Sequence, residues 1–479
     1  RLDDRRQLVH GIRGAGARRE EQQQQQRALR GDAGFQQVLI FDAGSSGTRV
    51  HVFNLRAPRG GASVPEVDLA VRERQTLKVK PGLSSFAKGG DLDGARASIE
   101  NLLAFANQFV PLASRASTPA LLKATAGLRA LPKESSDAVL RRVRDTLLAS
   151  GYRFQADWAS IIEGKEEGGL AWVAVNYLRG TFSGAADKES LGVIELGGGS
   201  MQVSFQVESA EVLAPSDKFE FRTAGGRRYR VYAHSYLGFG LDHAQAKLLE
   251  AAPPTEGEDP CYPVGYRRAK QMHNGTDGAT EFIRGSGHAD GCQAWIESAL
   301  LGSELSPGWY AGERPLHGSF AATENFYHVR HRLSLPLLGD LEATRRAAHD
   351  VCCDRNQTGE ADAMEFGVPG GKPHECFALS YMAALSQALG VSATPGVKVE
   401  VLKQVSGADV EWALGAAVTH SLEGVELAAD IPGGPSTWWG VILALLAVPF
   451  AVLAANALCV RDKVQHRVIK ATTIGAPAE

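Results

Sequence analysis

The sequence predicts a duplicated body in which two β-hairpins face each other across a cleft, with one membrane-spanning helix behind it. Three stretches carry that expectation: VLIFDAGSSGTRVHVF from Val38, GVIELGGGSMQVSFQV from Gly192, and the uncharged run from Trp438 to Val460. Each of the first two reads as an apolar strand, an acid at its end, a turn of small residues and a second, alternating strand. In the first, the acid is Asp42 and the turn runs from Ala43 to Thr48, with Val50 and Val52 alternating after it. In the second, the acid is Glu195, the turn runs from Gly197 to Ser200, and the alternating pair is Val203 and Phe205. Glycines let backbone N–H groups approach a ligand closely and Ser and Thr hydroxyls add donors, so such a turn suits a phosphate. Two of them about 150 residues apart can grip a phosphate chain from both sides, each with one carboxylate at its mouth. Paired carboxylates there suit Mg2+ or Ca2+, which prefer oxygen ligands and usually keep waters. No GxxxxGK[ST] sequence occurs, which excludes a P-loop.

The rest of the chain is ordered around these units. With 479 residues, 51 Lys plus Arg against 54 Asp plus Glu and 44% hydrophobic residues, it is not a disordered tail, a collagen, a small disulfide scaffold or a wholly basic nucleic-acid binder. Residues 1–34 hold the run Gln22 to Gln26 and eight Arg before residue 32, and read as a disordered arm. Ala408 to Leu422 has helical character. Residues 427–437, with Gly433, Gly434 and Pro435, read as a stalk. Trp438 to Val460 is 23 residues without a charge, long enough at about 1.5 Å per residue to cross a bilayer. Arg461, Lys463, Arg467 and Lys470 come directly after it, while no Lys or Arg lies between Gln404 and Val460. That asymmetry places residues 461–479 in the cytosol and the body in a lumen or outside the cell.

Cysteine usage fits that placement. Cys261, Cys292, Cys352, Cys353 and Cys376 lie on the lumenal side, with the sequons Asn274 to Thr276 and Asn356 to Thr358 among them. The spacings lack the close CxxC pairs of a zinc site, so disulfides are the better reading.

The segments DAGSSGTR from Asp42, KATAGLRALP from Lys123, EGKEEGGLAWVAVNYLRG from Glu163 and ELGGGSMQ from Glu195 occur in that order. Together they resemble the conserved regions of the nucleoside triphosphate diphosphohydrolase family. This is the apyrase and nucleoside diphosphatase group of the actin, Hsp70 and sugar kinase superfamily. HSYLGFGLDHA at His234, FAATENFYH at Phe320, CFALSYMAAL at Cys376 and VEWALGAAV at Val410 extend the resemblance over roughly residues 38–424. It implies an α/β fold of two RNase H-like domains around a central cleft. Domain I would span 35–156 and domain II 157–405, with the chain returning to domain I over 406–426.

The resemblance also implies roles. Glu167 matches the general base, and Ser200 and Gln202 match the residues that hold the attacking water beside it. Ser45, Ser46, Gly47 and Thr48 match the first phosphate loop, Gly198, Gly199 and Ser200 the second, and Thr125 and Ala126 a third at the cleft floor. Asp42 and Glu195 match the metal acids, which act largely through water; Glu195 stands where the family usually has Asp, and Gly199 where Ala is common. Arg49 and Arg129 either neutralise phosphate or brace the loops by pairing with a carboxylate. Tyr327, Phe326 and Trp412 are the candidate base-stacking aromatics, while His328 and His331 read as surface histidines. Cys261 with Cys292, and Cys352 with Cys376, match family bridges, which leaves Cys353 unpaired.

The activity implied is divalent-metal-dependent hydrolysis of the terminal phosphate of nucleoside di- or triphosphates by in-line attack of water, with no covalent phospho-enzyme. No nucleic acid and no obligate protein partner are implied. The GTRVHVF and ALSYMAAL segments tilt the expectation towards diphosphates and the Golgi, with the plasma membrane as the other location. Two other readings are an exopolyphosphatase or guanosine pentaphosphate phosphatase, which shares the GGGS loop, and a membrane-tethered nucleotide sensor without turnover.

Overall fold

The computed structural model describes residues 34–71, 75–183, 189–208, 211–251, 253–264, 266–269, 282–302, 316–336, 340–353, 375–391 and 395–429. Residues 1–33 of the arm, both sequons, 430–437 of the stalk, the span Trp438 to Val460 and the basic tail lie outside those residues, while 427–429, expected in the stalk, instead end a helix. Among the described residues, no helix is long and apolar enough to cross a membrane. The described residues up to Leu422 form one compact unit. Within it, the chain folds as an α/β structure.

The first sheet holds β1 (Gln36–Ala43), β2 (Thr48–Arg56), β3 (Glu66–Val67), β4 (Thr76–Val79), β5 (Ala120–Ala124) and β6 (Ala159–Ile161). Its order is β3-β2-β1-β5-β6, with β4 also on β2. The second holds β7 (Gly192–Leu196), β8 (Ser200–Gln206), β9 (Lys218–Arg222) and β10 (Arg228–Leu237). After a small sheet of β11 (Glu258–Asp259), β12 (Arg267–Ala269) and β13 (Phe282–Gly285), the chain returns to it with β14 (Ser319–Glu324) and β15 (Lys398–Val401). The order there is β15-β14-β7-β8-β10-β9.

The sheets repeat one plan. An antiparallel hairpin, β1 with β2 or β7 with β8, is flanked on its first strand by two parallel strands, β5 and β6 or β14 and β15. Between the sheets run α3 (Gly164–Leu178) and, as far as Leu422, α9 (Trp412–Ala429); α1 (Leu92–Ala106) and α2 (Lys133–Leu148) cover the outer face of the first. Helices α4 (Leu241–Glu250), α5 (Ala289–Ile296), α6 (Asn325–Arg332), α7 (Leu341–Cys353) and α8 (Glu375–Ala388) cover the outer face of the second.

Strand alternation sorts side chains between these layers, because successive residues of a strand point to opposite faces. On β1, Leu39 and Phe41 enter the outer core with α1 and α2, whereas Val38 and Ile40 enter the middle core with α3 and α9. On β7, Ile194 and Leu196 face outward and Val193 faces the middle layer. By the same parity Asp42 and Glu195, at the ends of these strands, both face the middle layer. That is where α3 begins.

α3 is tied to both sheets. Tyr177 donates its hydroxyl to Pro65 O at 2.9 Å and accepts from Val67 N, while Asn176 bonds Leu191 through both ends of its amide. The bridges are paired as the resemblance implies: Cys261–Cys292 ties the segment after β11 to α5, and Cys352–Cys376 ties α7 to α8. Cys353 is a free, exposed thiol.

Candidate active site

The two glycine turns meet. A methyl group on Gly198 would come 2.5 Å from Asp242 Oδ2 and 2.9 Å from Ser45 Oγ, so only glycine lets the second turn come this close to the first. Ala126, in the short helical turn after β5, lies against Gly199, where an added Cβ would sit 3.0 Å from its own. The three predicted phosphate-binding segments thus converge. Ser46 is exposed and Ser45 half-buried, whereas Thr48, Thr125 and Ala126 are buried. Thr48 Oγ1 has no hydrogen-bond partner among the described residues.

Glu167 enters from the first turn of α3. Its neighbours Glu163 and Glu166 are occupied: Glu163 caps the helix, and the Glu166 carboxylate accepts from Glu163 N at 2.9 Å, closing a capping box. Glu167 is the acid left to the site, and it is buried. The helix comes this near because Gly164 has no side chain; a Cβ there would lie 2.1 Å from that of Ser235.

Arg129 gathers the rest. Its Nη2 lies 3.0 Å from Glu167 Oε2, 3.3 Å from Ser235 Oγ and 3.5 Å from Ser200 Oγ, and its Nη1 donates to Ile162 O at 3.1 Å. Gln202 Nε2 donates to Ser200 Oγ at 2.6 Å and to Ser235 Oγ at 3.1 Å. Ser200, Gln202 and Ser235 share a face because β8 and β10 alternate in register, with Gln202 opposite Ser235. The predicted base and water-holding residues therefore stand together. Of the two roles open to the arginines, bracing is the one seen: Arg129 pairs with Glu167, and Arg49 with Asp42 at 3.2 Å.

Burial dominates the electrostatics. It raises Asp42 to about 6 against the opposing pull of Arg49, and Glu167 to about 7 against that of Arg129. Glu195 is pushed well above the usual carboxylate range, first by burial and then by the charges of Glu167, Glu324 and Asp42. Its Oε2 is buried without a hydrogen-bond partner. An orphaned carboxylate oxygen amid other carboxylates is the donor chemistry of a hard cation, so the residues fit a divalent ion. Among the described residues, no three His, Cys, Asp or Glu side chains converge tightly enough to ligate a metal directly. Water between ion and carboxylates matches that spacing.

Three contributors escaped the motifs. Lys78, on β4 opposite Arg49, places Nζ 3.2 Å from Ser46 Oγ on the first turn. Ser235 lies in HSYLGFG, where nothing but the register to β8 distinguishes it. Glu324 ends β14 with φ 57° and ψ −119°, a conformation costing about 1–3 kcal/mol for a residue other than glycine.

The candidate base-stacking aromatics separate. Phe326 and Trp412 are each 6% exposed inside the outer and middle cores, and offer no ring face to a base. Aromatic composition alone cannot say which helix face turns inward. Tyr327 is half-buried at the edge of the outer core, stacked on His331 with ring centroids 5.2 Å apart.

Residues 32–430 match the family model described as the GDA1/CD39 (nucleoside phosphatase) family. The chain is 32% identical over 418 residues to Probable apyrase 4 of Arabidopsis thaliana, covering 80% of this chain and 79% of that protein. It is 30% identical over 417 residues to ectonucleoside triphosphate diphosphohydrolase 6 of Rattus norvegicus, covering 83% of this chain and 84% of that one. Its fold is similar to a crystal structure of nucleoside triphosphate hydrolases from Neospora caninum, at a TM-score of 0.61 and 18% identity, covering 86% of this chain and 97% of that one. The four ordered motifs and the matched length place the chain in the GDA1/CD39 family of nucleoside phosphatases, hydrolases of phosphoanhydride bonds that work with a divalent cation.

Proposed function

We propose that the chain removes the terminal phosphate of nucleoside diphosphates, and of triphosphates, by direct attack of water activated at Glu167. One observation carries this reading: Glu167 from α3 meets Ser200 and Gln202 from β8, with Arg129 bonded to Glu167 and Ser200 and Gln202 donating to Ser200. Ser200 Oγ accepts from both Gln202 and Arg129, which leaves its own proton to orient an incoming water. Glu167, raised to about 7, is a carboxylate able to take a proton near neutral pH. The water oxygen bonds to the terminal phosphorus, its proton passes to Glu167, and the phosphoanhydride P–O bond breaks to release orthophosphate and the shortened nucleotide. Backbone N–H groups of the two turns face the phosphate oxygens, with Lys78 beside them. Asp42 and Glu195 would hold Mg2+ or Ca2+ through water, and the ion would neutralise phosphate charge.

The repeated sheets support a reading as two RNase H-like domains, the first running past the expected 156 to include β6 and the second ending near 405, with 406–426 as the return of the chain. Tyr327 remains the aromatic for a base. The uncharged run Trp438 to Val460 and the basic residues after it support a single-pass protein with a lumenal or extracellular body, in the Golgi or at the plasma membrane. Phosphate release from ATP, ADP, UDP, GDP and inorganic polyphosphate, with and without EDTA, tests the activity. Release from ADP or UDP that EDTA abolishes is expected; turnover of polyphosphate alone would reject the nucleotide assignment.

A further inference from the structure

The repeat plan locates a residue outside the four ordered motifs, to which the sequence assigned no role. In the first half, β5 lies parallel to β1 with Ala124 opposite Ala43, and the next residue, Thr125, donates its N–H to Ala43 O at 3.2 Å. In the second half, β14 lies parallel to β7 with Glu324 opposite Leu196, and the next residue, Asn325, donates its Nδ2 to Leu196 O at 2.9 Å. Glu324 and Asn325 are therefore the counterparts of Ala124 and Thr125, so the third loop of the cleft floor has a partner from the other half. The acid there is an addition.

Its backbone brings it into the site. Phe320 and Ala322 face the outer core and Ala321 the middle layer, so alternation would send Glu324 outward. At φ 57° the strand geometry is broken. Register sets Glu324 next to Glu195, with Thr323 opposite Glu195 and Glu324 opposite Leu196, and its charge is felt by Asp42, Arg49, Glu167 and Glu195. Its side chain is 27% exposed, and His328 Nε2 is 3.9 Å away, one helical turn on. Glu411 also acts on Asp42 and Arg49, so the acids here outnumber the guanidiniums of Arg49 and Arg129. Independently, Glu195 Oε2 is buried in this cluster with no partner, which itself points to a missing cation.

We propose that Glu324 is a third carboxylate facing the divalent ion's water shell, with Asp42 and Glu195, and that its strained backbone serves to aim it there. This rests on the nucleotide-hydrolase reading of the same site. Direct ligation is not implied, because the described carboxylates do not converge that tightly.

The test is Mn2+ binding to the full chain, read by EPR of free Mn2+ in the presence of a non-hydrolysable ADP analogue, for wild type, Glu324→Gln, Glu324→Gly and His328→Ala. Outer-shell partners of a metal typically change its affinity about 10–100-fold. Glu324→Gln is expected to raise the Mn2+ Kd at least fivefold. Glu324→Gly should do the same while keeping or raising Tm, since glycine adopts the observed φ without strain. His328→Ala should leave the Kd within twofold. A Kd changed less than fivefold in both Glu324 variants overturns the proposal, as does an equal loss in His328→Ala, which would make Glu324 only a partner of that histidine. If wild type binds Mn2+ and releases phosphate from ADP but the variants bind Mn2+ as well as it does, the inference alone fails. If wild type does neither, the functional reading fails with it.

Discussion

Asp42 and Glu195 occupy the same place in two copies of one hairpin, yet their opposite residues differ. Across the first hairpin from Asp42 stands Arg49, which pairs with it at 3.2 Å. Across the second from Glu195 stands Gln202, which turns its amide to Ser200 and Ser235 and leaves Glu195 Oε2 without a partner. One half neutralises its acid internally. The other keeps a buried carboxylate unpaired and uses the opposite residue to hold a hydroxyl. Duplication thus yields two different hairpins from one scaffold, with the acid's charge paired on one side and left uncompensated on the other.

The largest effect expected lies on the uncompensated side, at the proposed base. Glu167→Gln should lower kcat by about 10²–10⁴-fold while binding of a non-hydrolysable ADP analogue stays within a few-fold, measured by single-turnover phosphate release and calorimetry. Near-normal turnover would remove Glu167 from its role.

Next come the two acids, which should respond in opposite directions. Asp42→Asn leaves Arg49 without its counter-charge and should destabilise by about 1–3 kcal/mol. Glu195→Gln removes an uncompensated buried carboxylate and should raise Tm in EDTA. Equal Tm changes in the two variants would erase the contrast between the hairpins.

A pH series probes the same contrast. Asp42, Glu167 and Glu195 all have raised carboxyls, so the folded protein holds more protons than the unfolded chain. In EDTA their contribution to stability is therefore greatest below about pH 4.5 and is lost as pH rises through the folded values. For Asp42 and Glu167 that window extends to about 6 and about 7. Denaturant titrations should show that decline, and its reduction by millimolar Mg2+ or Ca2+. In the same window kcat/KM should rise with pH as Glu167 loses its proton, and Arg129→Ala, which removes the opposing charge, should move that rise to higher pH.

The smallest effect expected is at Gly199. An added Cβ would sit 3.0 Å from that of Ala126, so Gly199→Ala needs a shift of a few tenths of an ångström and should alter kcat/KM less than threefold. Gly198→Ala, aimed at Asp242 and Ser45, should cost much more.

Much of this was legible along the chain. Both acids and both turns stood out because the same order of residue types occurs twice, and a repeat of that length rarely arises without a common use. Ser200, Gln202 and Glu167 came from the resemblance, and the structure places them together. What the chain order hides is parity and pairing. Glu324 joins the site only because β14 lies beside β7 and because its own backbone leaves the strand, and Ser235 only because β10 registers against β8. Phe326 and Trp412 look like Tyr327 in composition, but only tertiary packing decides which ring is enclosed.

Arg129 leaves the first sheet and touches Glu167, Ser200 and Ser235, all mounted on elements of the other half. The alignment of Glu167 therefore reports how the two halves are seated on each other. A substitution in the middle core, remote from any phosphate, can tilt that seating by a fraction of an ångström and surface as lost turnover with intact affinity. In this enzyme, core packing and rate constant are two readings of the same angle.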